Sequence, residues 1–392
     1  MTDNAILPAT TSGGRPLRVL HLTAASDAGG LSRYVVDLTA AMHAAGHALA
    51  VMGDVGAWQH VFDAAPVPYV RVPLQRGAVG FARSVTAARA FVREFRPDVV
   101  HTHYRRATAL ARAAIATARG RDRRPPVLYT VHGSHIAMGW PRNWLTDFGD
   151  HTHAPSADVV DWLVRDAGLS LERITVIPHG VDVARFTPAD AAGKAAARAA
   201  LDLPADATVA AFVGRLDHPK NADWMLDVAA AARDRVAGLR VVLAGDGPDE
   251  PALRRRIAAE GLGDRVTLLG HRDPLVVYHA ADAVLSPSLR EGFSLAAAEA
   301  MAAGVPVLRT RTSGTTELIV QGVTGRWTPI DRRAFAAAAV EFLSDRAKLA
   351  AMGAAAASHV HSQFTHAGQV ERTLDLYRRL TTAAAASTRG GT

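Results

Sequence analysis

The chain has no cysteine, which excludes disulfides and thiol catalysis and agrees with a reducing compartment. It also has no apolar run approaching the ~20 residues that a bilayer span requires. Its first residues, MTDNAILPATTSGGRP, lack a basic segment followed by a long apolar one, so they do not read as a secretory signal. No two aspartates stand two residues apart, so an Asp-x-Asp cation motif is missing. The glycine turn SDAGGLSRY lacks the third glycine of a dinucleotide fingerprint, and Asp54 alone does not replace it. The stretch HGSH at His132 is not the G-x-S-x-G turn of a serine hydrolase. The expected location is the cytoplasm.

What is present points to a globular chain of two domains. At 392 residues, with 49% hydrophobic and 21% charged residues, the chain is too long for one ordinary core and too apolar to be disordered. The net charge of +7 is uneven. From Arg83 to Arg124 eleven arginines face three acids (Glu94, Asp98, Asp122), a local excess of eight. Such a patch suits an anionic inner membrane face or an acidic acceptor, and it equally reads as a solvated helix face. No aromatic interleaving accompanies it, so no nucleic-acid partner is expected.

Short apolar runs alternate with helical patterns twice along the chain. LRVLHLT, HALAVMG, PDVVHTH, VLYTVHG and ITVIPHG form the first set. Between the first two, Leu31, Val35, Leu38 and Met42 recur at helical spacing up to Gly46. TVAAFVGRL, LRVVLAGDG, RVTLLGH, DAVLSPS and VPVLRT repeat the plan after a Pro-, Ala- and Asp-rich link near Pro178 to Pro204. The alternation predicts two parallel α/β sheets: a first domain over 1–180 and a second over 181–363. A ligand cleft between them is the default site. The amphipathic stretch FTHAGQVERTLDLYRRL predicts a last helix, and the tail TTAAAASTRGGT reads as unstructured.

Several residues then carry chemistry. Gly29 and Gly30 either make a tight turn or leave a helix N-terminus open to an anion. Arg215 and Lys220 of VGRLDHPKN fall in a strand-to-helix turn at the carboxyl end of the second sheet, suited to phosphate or plain solvent. In REGFSLAAAEAMAAGVPV, Ser294 is the N-cap, Leu295 to Ala303 the helix, Gly304 its stop, and Pro306 lies beyond. Glu291 therefore sits in the preceding loop and Glu299 inside the helix, with alanines between them leaving room for backbone or a nucleotide. The amides of Gly292, Phe293, Ser294 and Leu295 make an anion site. His101-x-His103 and His151-x-His153 place paired rings on one strand face, where a metal, the acceptor side of a cleft, or a strand end are the readings. The expectation is no metal.

Nine stretches occur in a recognisable order: AGGLSRYVVDLTAAMHAAGH, PDVVHTH, TVHG, VIPHGVD, VGRLDHPKN, LAGDGP, LLGH, the long run through EGFSLAAAE, and SGTTELIVQGVTGR. With its E-x₇-E signature, this set resembles retaining glycosyltransferases of the GT-B fold, and in particular glycosyltransferase family 4, from about Leu17 to Leu380. The resemblance implies two Rossmann-like domains facing across a cleft, with residues 364–382 crossing back to the first. It implies that Arg215 and Lys220 bind the donor diphosphate, near Gly214, and stabilise the growing charge. Glu299 would take the ribose diol, and Glu291 the donor-sugar hydroxyls. The amides of Gly292 to Leu295 would meet sugar and phosphate, and Gly29 and Gly30 the diphosphate. His132 would face sugar and acceptor, while His271 and Arg272 lie near the base.

The implied activity is retaining, metal-independent and cofactor-free. It moves a hexose from a UDP- or GDP-linked donor to a sugar, lipid-linked or other hydroxyl acceptor, in polysaccharide or glycolipid synthesis. A nucleotide-sugar epimerase or soluble-sugar synthase on the same fold is the alternative. His179 stands where the family commonly has Asn, and Ser313 where a second Gly precedes Glu317, so the sugar pocket is expected to differ. The loop HIAMGWPRNWL offers two tryptophans for an acceptor or for packing.

Overall fold

The computed structural model describes residues 15–23, 30–53, 67–72, 77–118, 124–133 and 146–389. The chain divides into two compact units, residues 1–179 with 367–392 and residues 180–366. In the first, β1 (Arg18–Thr23), α1 (Gly30–Ala44), β2 (Ala48–Gly53), β3 (Tyr69–Arg71), α2 (Ala78–Phe95) and β4 (Val99–Thr102) come first. α3 (Arg105–Thr117), β5 (Val127–Thr130), β6 (His151–Ala154), α4 (Ala157–Arg165) and β7 (Ile174–Val176) follow. The strands pair in parallel in the order β3-β2-β1-β4-β5-β6-β7. Their short apolar runs are buried almost throughout, as a sheet covered on both faces requires. β3 and β6 were not among the expected strands. Three residues are too few to show a period, and HTHA carries no apolar run.

The second unit holds α5 (Ala191–Ala200), β8 (Thr208–Val213), α6 (Trp224–Ala231), β9 (Leu239–Ala244), α7 (Glu250–Ala259), β10 (Val266–Gly270), α8 (Pro274–Ala280) and β11 (Ala283–Ser286). It continues with α9 (Leu295–Ala302), β12 (Val307–Thr310), α10 (Thr315–Leu318), β13 (Gly325–Thr328), α11 (Arg332–Leu343) and α12 (Arg346–Gln363). Its sheet runs β10-β9-β8-β11-β12-β13, again all parallel. The Ala-rich link is not irregular throughout. It forms α5, whose N-cap Asp190 accepts from the Gly193 amide at 2.7 Å. Asp282 fastens this unit from within. Its carboxylate accepts from Arg198 at 2.8 Å, Lys194 at 2.7 Å and the Val209 amide at 2.8 Å.

Both units share a close backbone crossing where the second strand ends. A Cβ on Gly53 (φ +142°) would lie 1.7 Å from the Thr23 carbonyl oxygen, and one on Gly245 (φ +140°) would lie 1.9 Å from that of Gly214. Only glycine fits there. The chain then ends in α13 (His366–Arg389). Val370, Leu374 and Tyr377 of this helix are buried in one core with Val19, Leu38, Met42 and Val51 of the first unit. The helix does not stop near Leu380. It runs through TTAAAASTR to Arg389, so the expectation of an unstructured tail is corrected: the alanines propagate an already anchored helix.

Candidate active site

The second unit gathers charge at the carboxyl ends of its strands. Beyond β8, Gly214 donates its amide to the Ala244 carbonyl at 3.0 Å, and Leu216 donates to that of Asp246 at 2.9 Å, so the turn is held against the end of β9. Arg215 points outward from it, 59% exposed, with a guanidinium nitrogen 2.7 Å from Asp217. Lys220 is 30% exposed and its Nζ donates to Glu291 Oε1 at 2.6 Å. Ser288 Oγ donates to the same oxygen at 2.8 Å. Burial pushes the Glu291 carboxyl up, but the charges of Lys220 and the buried Arg309, with the two hydrogen bonds, outweigh it and hold the group below its ordinary value. Glu291 is therefore a carboxylate near neutral pH.

The helix predicted from Ser294 forms as α9, with Ser294 Oγ accepting from the Ala297 amide at 3.4 Å and Gly304 at φ +77° beyond its end. Gly292, Phe293 and Ser294 are buried in the loop that enters it, and Leu295 is half-buried. Glu299 is half-buried, and the Tyr278 hydroxyl of α8 donates to its Oε2 at 3.1 Å. Burial, then the Glu299 charge, raises the Tyr278 phenol well above its usual value, so it stays a donor. Of the alanines between Glu291 and Glu299, Ala297 and Ala298 are buried in the core of the unit and let α9 pack closely, while Ala296 is half-buried. His271 and Arg272 follow β10 and are exposed, with the His271 side chain 84% so.

The first unit builds a different interior. Gly30 opens α1, while Gly29, Asp54 and the loop HIAMGWPRNWL lie outside the described residues. His21, His101, His103, His153 and His179 are buried, and His132 is half-buried beside them. Burial pushes His21 and His132 down to about 3, His153 to about 4, and His101, His103 and His179 well below their ordinary value. All are neutral imidazoles at physiological pH.

One row of hydrogen bonds has a single possible direction. The Ile177 carbonyl can only accept, so His153 Nε2 donates to it at 2.6 Å. His153 Nδ1 then accepts from Thr130 Oγ1 at 2.9 Å, and Thr130 accepts in turn from His101 Nε2 at 2.6 Å. His101 Nδ1 accepts from the Tyr377 hydroxyl of α13 at 2.6 Å. Thus His101 and His103 do not line an open surface; the terminal helix seals the row. His21, His101 and His103 each offer a ring nitrogen, all within 4.8 Å of one another, but both nitrogens of His101 are already engaged.

Of the expected residues, the fold joins Lys220 to Glu291 directly, and sets Arg215 just beyond β8 and Glu299 in α9, the helix that follows the neighbouring β11. Sequence reasoning missed Tyr278, Ser288, Asp217, Arg309 and His21. Only His21 left a signal, a histidine at the β1 position that pairs in register with His101. Among the described residues no helix is long and apolar enough to cross a membrane.

Two Rossmann-like units in series, the second carrying cations and carboxylates at its strand ends, define the GT-B class of glycosyltransferase. Anabaena HepE in complex with UDP and glucose has this fold, with a TM-score of 0.78 at 21% identity over 92% of this chain and 99% of that one. Residues 207–345 match the family model described as glycosyl transferases group 1, and residues 28–185 match that of glycosyltransferase family 4. The D-inositol 3-phosphate glycosyltransferase of Nocardia farcinica is 34% identical over 71% of this chain and 66% of its own length. The enzyme of the same name from Saccharomonospora viridis is 31% identical over 78% and 77%. The chain belongs to glycosyltransferase family 4, the nucleotide-sugar-dependent glycosyl transferases of group 1, and is a hexosyltransferase of that family.

Proposed function

We propose that the protein transfers a hexose, with retention and without a metal or cofactor, from a nucleoside-diphosphate sugar to a hydroxyl acceptor. The observation that carries this reading is the Lys220–Glu291 ion pair, formed between the segments that follow β8 and β11, neighbouring strands whose following segments also hold Arg215 and Glu299. Lys220 and Arg215 take the diphosphate, whose charge grows as the sugar–phosphate bond breaks. The amides of Gly30, Gly214 and Gly292 to Leu295 supply further donors to phosphate and sugar. Glu299, oriented by Tyr278, accepts from the ribose diol, and His271 and Arg272 flank the base.

Glu291 holds donor-sugar hydroxyls, and His132 contacts sugar and acceptor. Because Glu291 Oε1 is engaged by both Lys220 and Ser288, a holding role suits it better than attack on the sugar. The acceptor oxygen bonds to the anomeric carbon on the face the diphosphate leaves, and a leaving-phosphate oxygen takes the acceptor proton. UDP is the first base to test and GDP the second. The relatives' names put an inositol phosphate first among acceptors, followed by sugars and lipid-linked hydroxyls. The arginines of α2 and α3 suit a peripheral contact with an anionic bilayer, as enzymes of polysaccharide or glycolipid synthesis need.

The test is nucleotide release from UDP, GDP and ADP sugars with an acceptor panel and added chelator. Lys220→Ala and Glu299→Ala are each expected to cut turnover more than tenfold. Wild-type turnover in both variants would remove the site assignment, and inversion at the anomeric carbon would remove retention. Product formed with one donor and no acceptor would identify an epimerase instead.

A further inference from the structure

The second unit also carries a groove at the end of its sheet where the strands begin. Asp282, on its wall, precedes β11, whereas Glu291 follows that strand, so the two carboxylates stand at opposite ends of it. The groove encloses about 430 Å³ between α5, α12 and the turn that joins α9 to β12. A Cβ on Gly353 of α12 would lie 2.1 Å from the Gly304 carbonyl oxygen, so the helix presses directly on that turn. The short side chains of Ala350, Ala354 and Ala357 on the same helix leave the space beside the contact open, with Pro188 and Leu349 as further apolar wall. Three cations surround the one carboxylate there. Buried Arg198 lies 2.8 Å from Asp282 Oδ2, while Lys194 lies 2.7 Å and Arg346 3.7 Å from Oδ1. One carboxylate neutralises one cation, so two positive charges remain in excess. They belong to Lys194 and Arg346, which line the groove and are 35% and 47% exposed.

We propose that this groove binds a phosphate monoester with a small carbon body, such as a sugar phosphate. The Lys194 ammonium has three donors and gives one to Asp282. The Arg346 guanidinium has five and gives one to the Asp206 carbonyl at 2.8 Å. Both therefore keep donors for an anion, Lys as a point charge and Arg as a planar fork. A phosphate monoester carries close to two negative charges and matches the excess, whereas a single carboxylate would leave one cation over. Asp282 does not repel it strongly, because its oxygens are turned onto Arg198, Lys194 and the Val209 amide and it is only 6% exposed. Inorganic phosphate would occupy one end of a space that falls in the ~300–1,000 Å³ range of small-molecule sites, and a carbon body fills the rest against Pro188 and Leu349. The site uses none of Arg215, Lys220, Glu291 or Glu299 and does not rest on the transferase reading.

Titration calorimetry of the full chain with glucose 6-phosphate, inorganic phosphate and glucose tests this. Glucose 6-phosphate is expected to bind more tightly than inorganic phosphate, and glucose not at all. In Lys220→Ala, which removes a cation from the other end of the sheet, glucose 6-phosphate should bind as before. Arg346→Gln and Lys194→Gln should each weaken it about tenfold, the effect of one charge-assisted hydrogen bond. Ala354→Phe keeps both cations but fills the groove, so it should weaken glucose 6-phosphate and leave inorganic phosphate unchanged. The last variant decides the matter if loss of Lys194 from Asp282 unfolds the unit. No binding to the wild type would overturn the proposal, as would binding that all three groove variants leave unchanged. Binding lost in Lys220→Ala would place the anion at the other end of the sheet and overturn it too. Inorganic phosphate binding as tightly as glucose 6-phosphate would overturn the carbon body, and glucose binding as tightly would overturn the phosphate.

Discussion

The two units share one scaffold and fill its strand ends in opposite ways. Each has a parallel sheet whose second strand ends in a glycine pressed on the backbone after the first, Gly53 on Thr23 and Gly245 on Gly214. Around that shared crossing, the second unit sets charges: Lys220 on Glu291, Arg215 beside Asp217. The first unit instead holds imidazoles that burial keeps neutral, tied through Thr130 to the terminal helix. A charge survives at a strand end where solvent or an opposite charge reaches it. Deeper in the first sheet the groups are neutral and mutually bonded. The same backbone therefore carries a partly exposed set of charges in one copy and a hydrogen-bonded interior in the other.

Acid should separate the two units most. The buried imidazoles have folded values well below their ordinary 6.5, so the unfolded chain binds more protons between the two. Their contribution is whole above about pH 6.5 and falls as pH drops toward 4, by up to ~1.4 kcal/mol per pH unit for each imidazole. Hydrogen exchange at pH 7.5 and 5 should show amides of β1, β4 and α13 losing protection before those of β8 and β12. Equal loss in both units would break the contrast.

Asp282→Asn should cost the second unit about 3–5 kcal/mol in urea unfolding, because it leaves Arg198 buried and unneutralised. That loss should not grow on acidification to pH 5, where the imidazoles act. Smaller still is the paired test of the two tyrosines. Tyr377→Phe removes the donor to His101 Nδ1 and should destabilise by ~1–3 kcal/mol without changing donor affinity. Tyr278→Phe should cost ~1 kcal/mol but raise the donor KM, because Glu299 loses its anchor. The reverse outcome, KM moving with Tyr377, would mean that the interior row and the donor site are one system.

Much of this was legible in order. The βα alternation, the N-cap at Ser294, the stop at Gly304 and the strand-end placement of Arg215, Lys220 and Glu291 follow from local rules that a sequence displays. β3, β6 and β13 were not legible, since β3 has only three residues and neither HTHA nor GRWT carries an apolar run. The tail was misread because alanine is both a low-complexity residue and the strongest helix former, and only the anchoring of Val370 and Tyr377 decides between them. The alanines of α9 were legible only in part, because a small side chain signals close approach but not what approaches, and for Ala297 and Ala298 it is the core.

By itself the sequence determined the family, the two parallel sheets and the residue types that can meet a nucleotide sugar. Those depend on periodicity, turn chemistry and order along the chain. Only the tertiary structure decided that Lys220 and Glu291 share one hydrogen bond across seventy-odd residues, and that Tyr278 holds Glu299. Nor could spacing reveal that His21, His103 and His132 form one row. Such contacts depend on which strands become neighbours and on how deeply each ring is buried, and both arise from long-range packing.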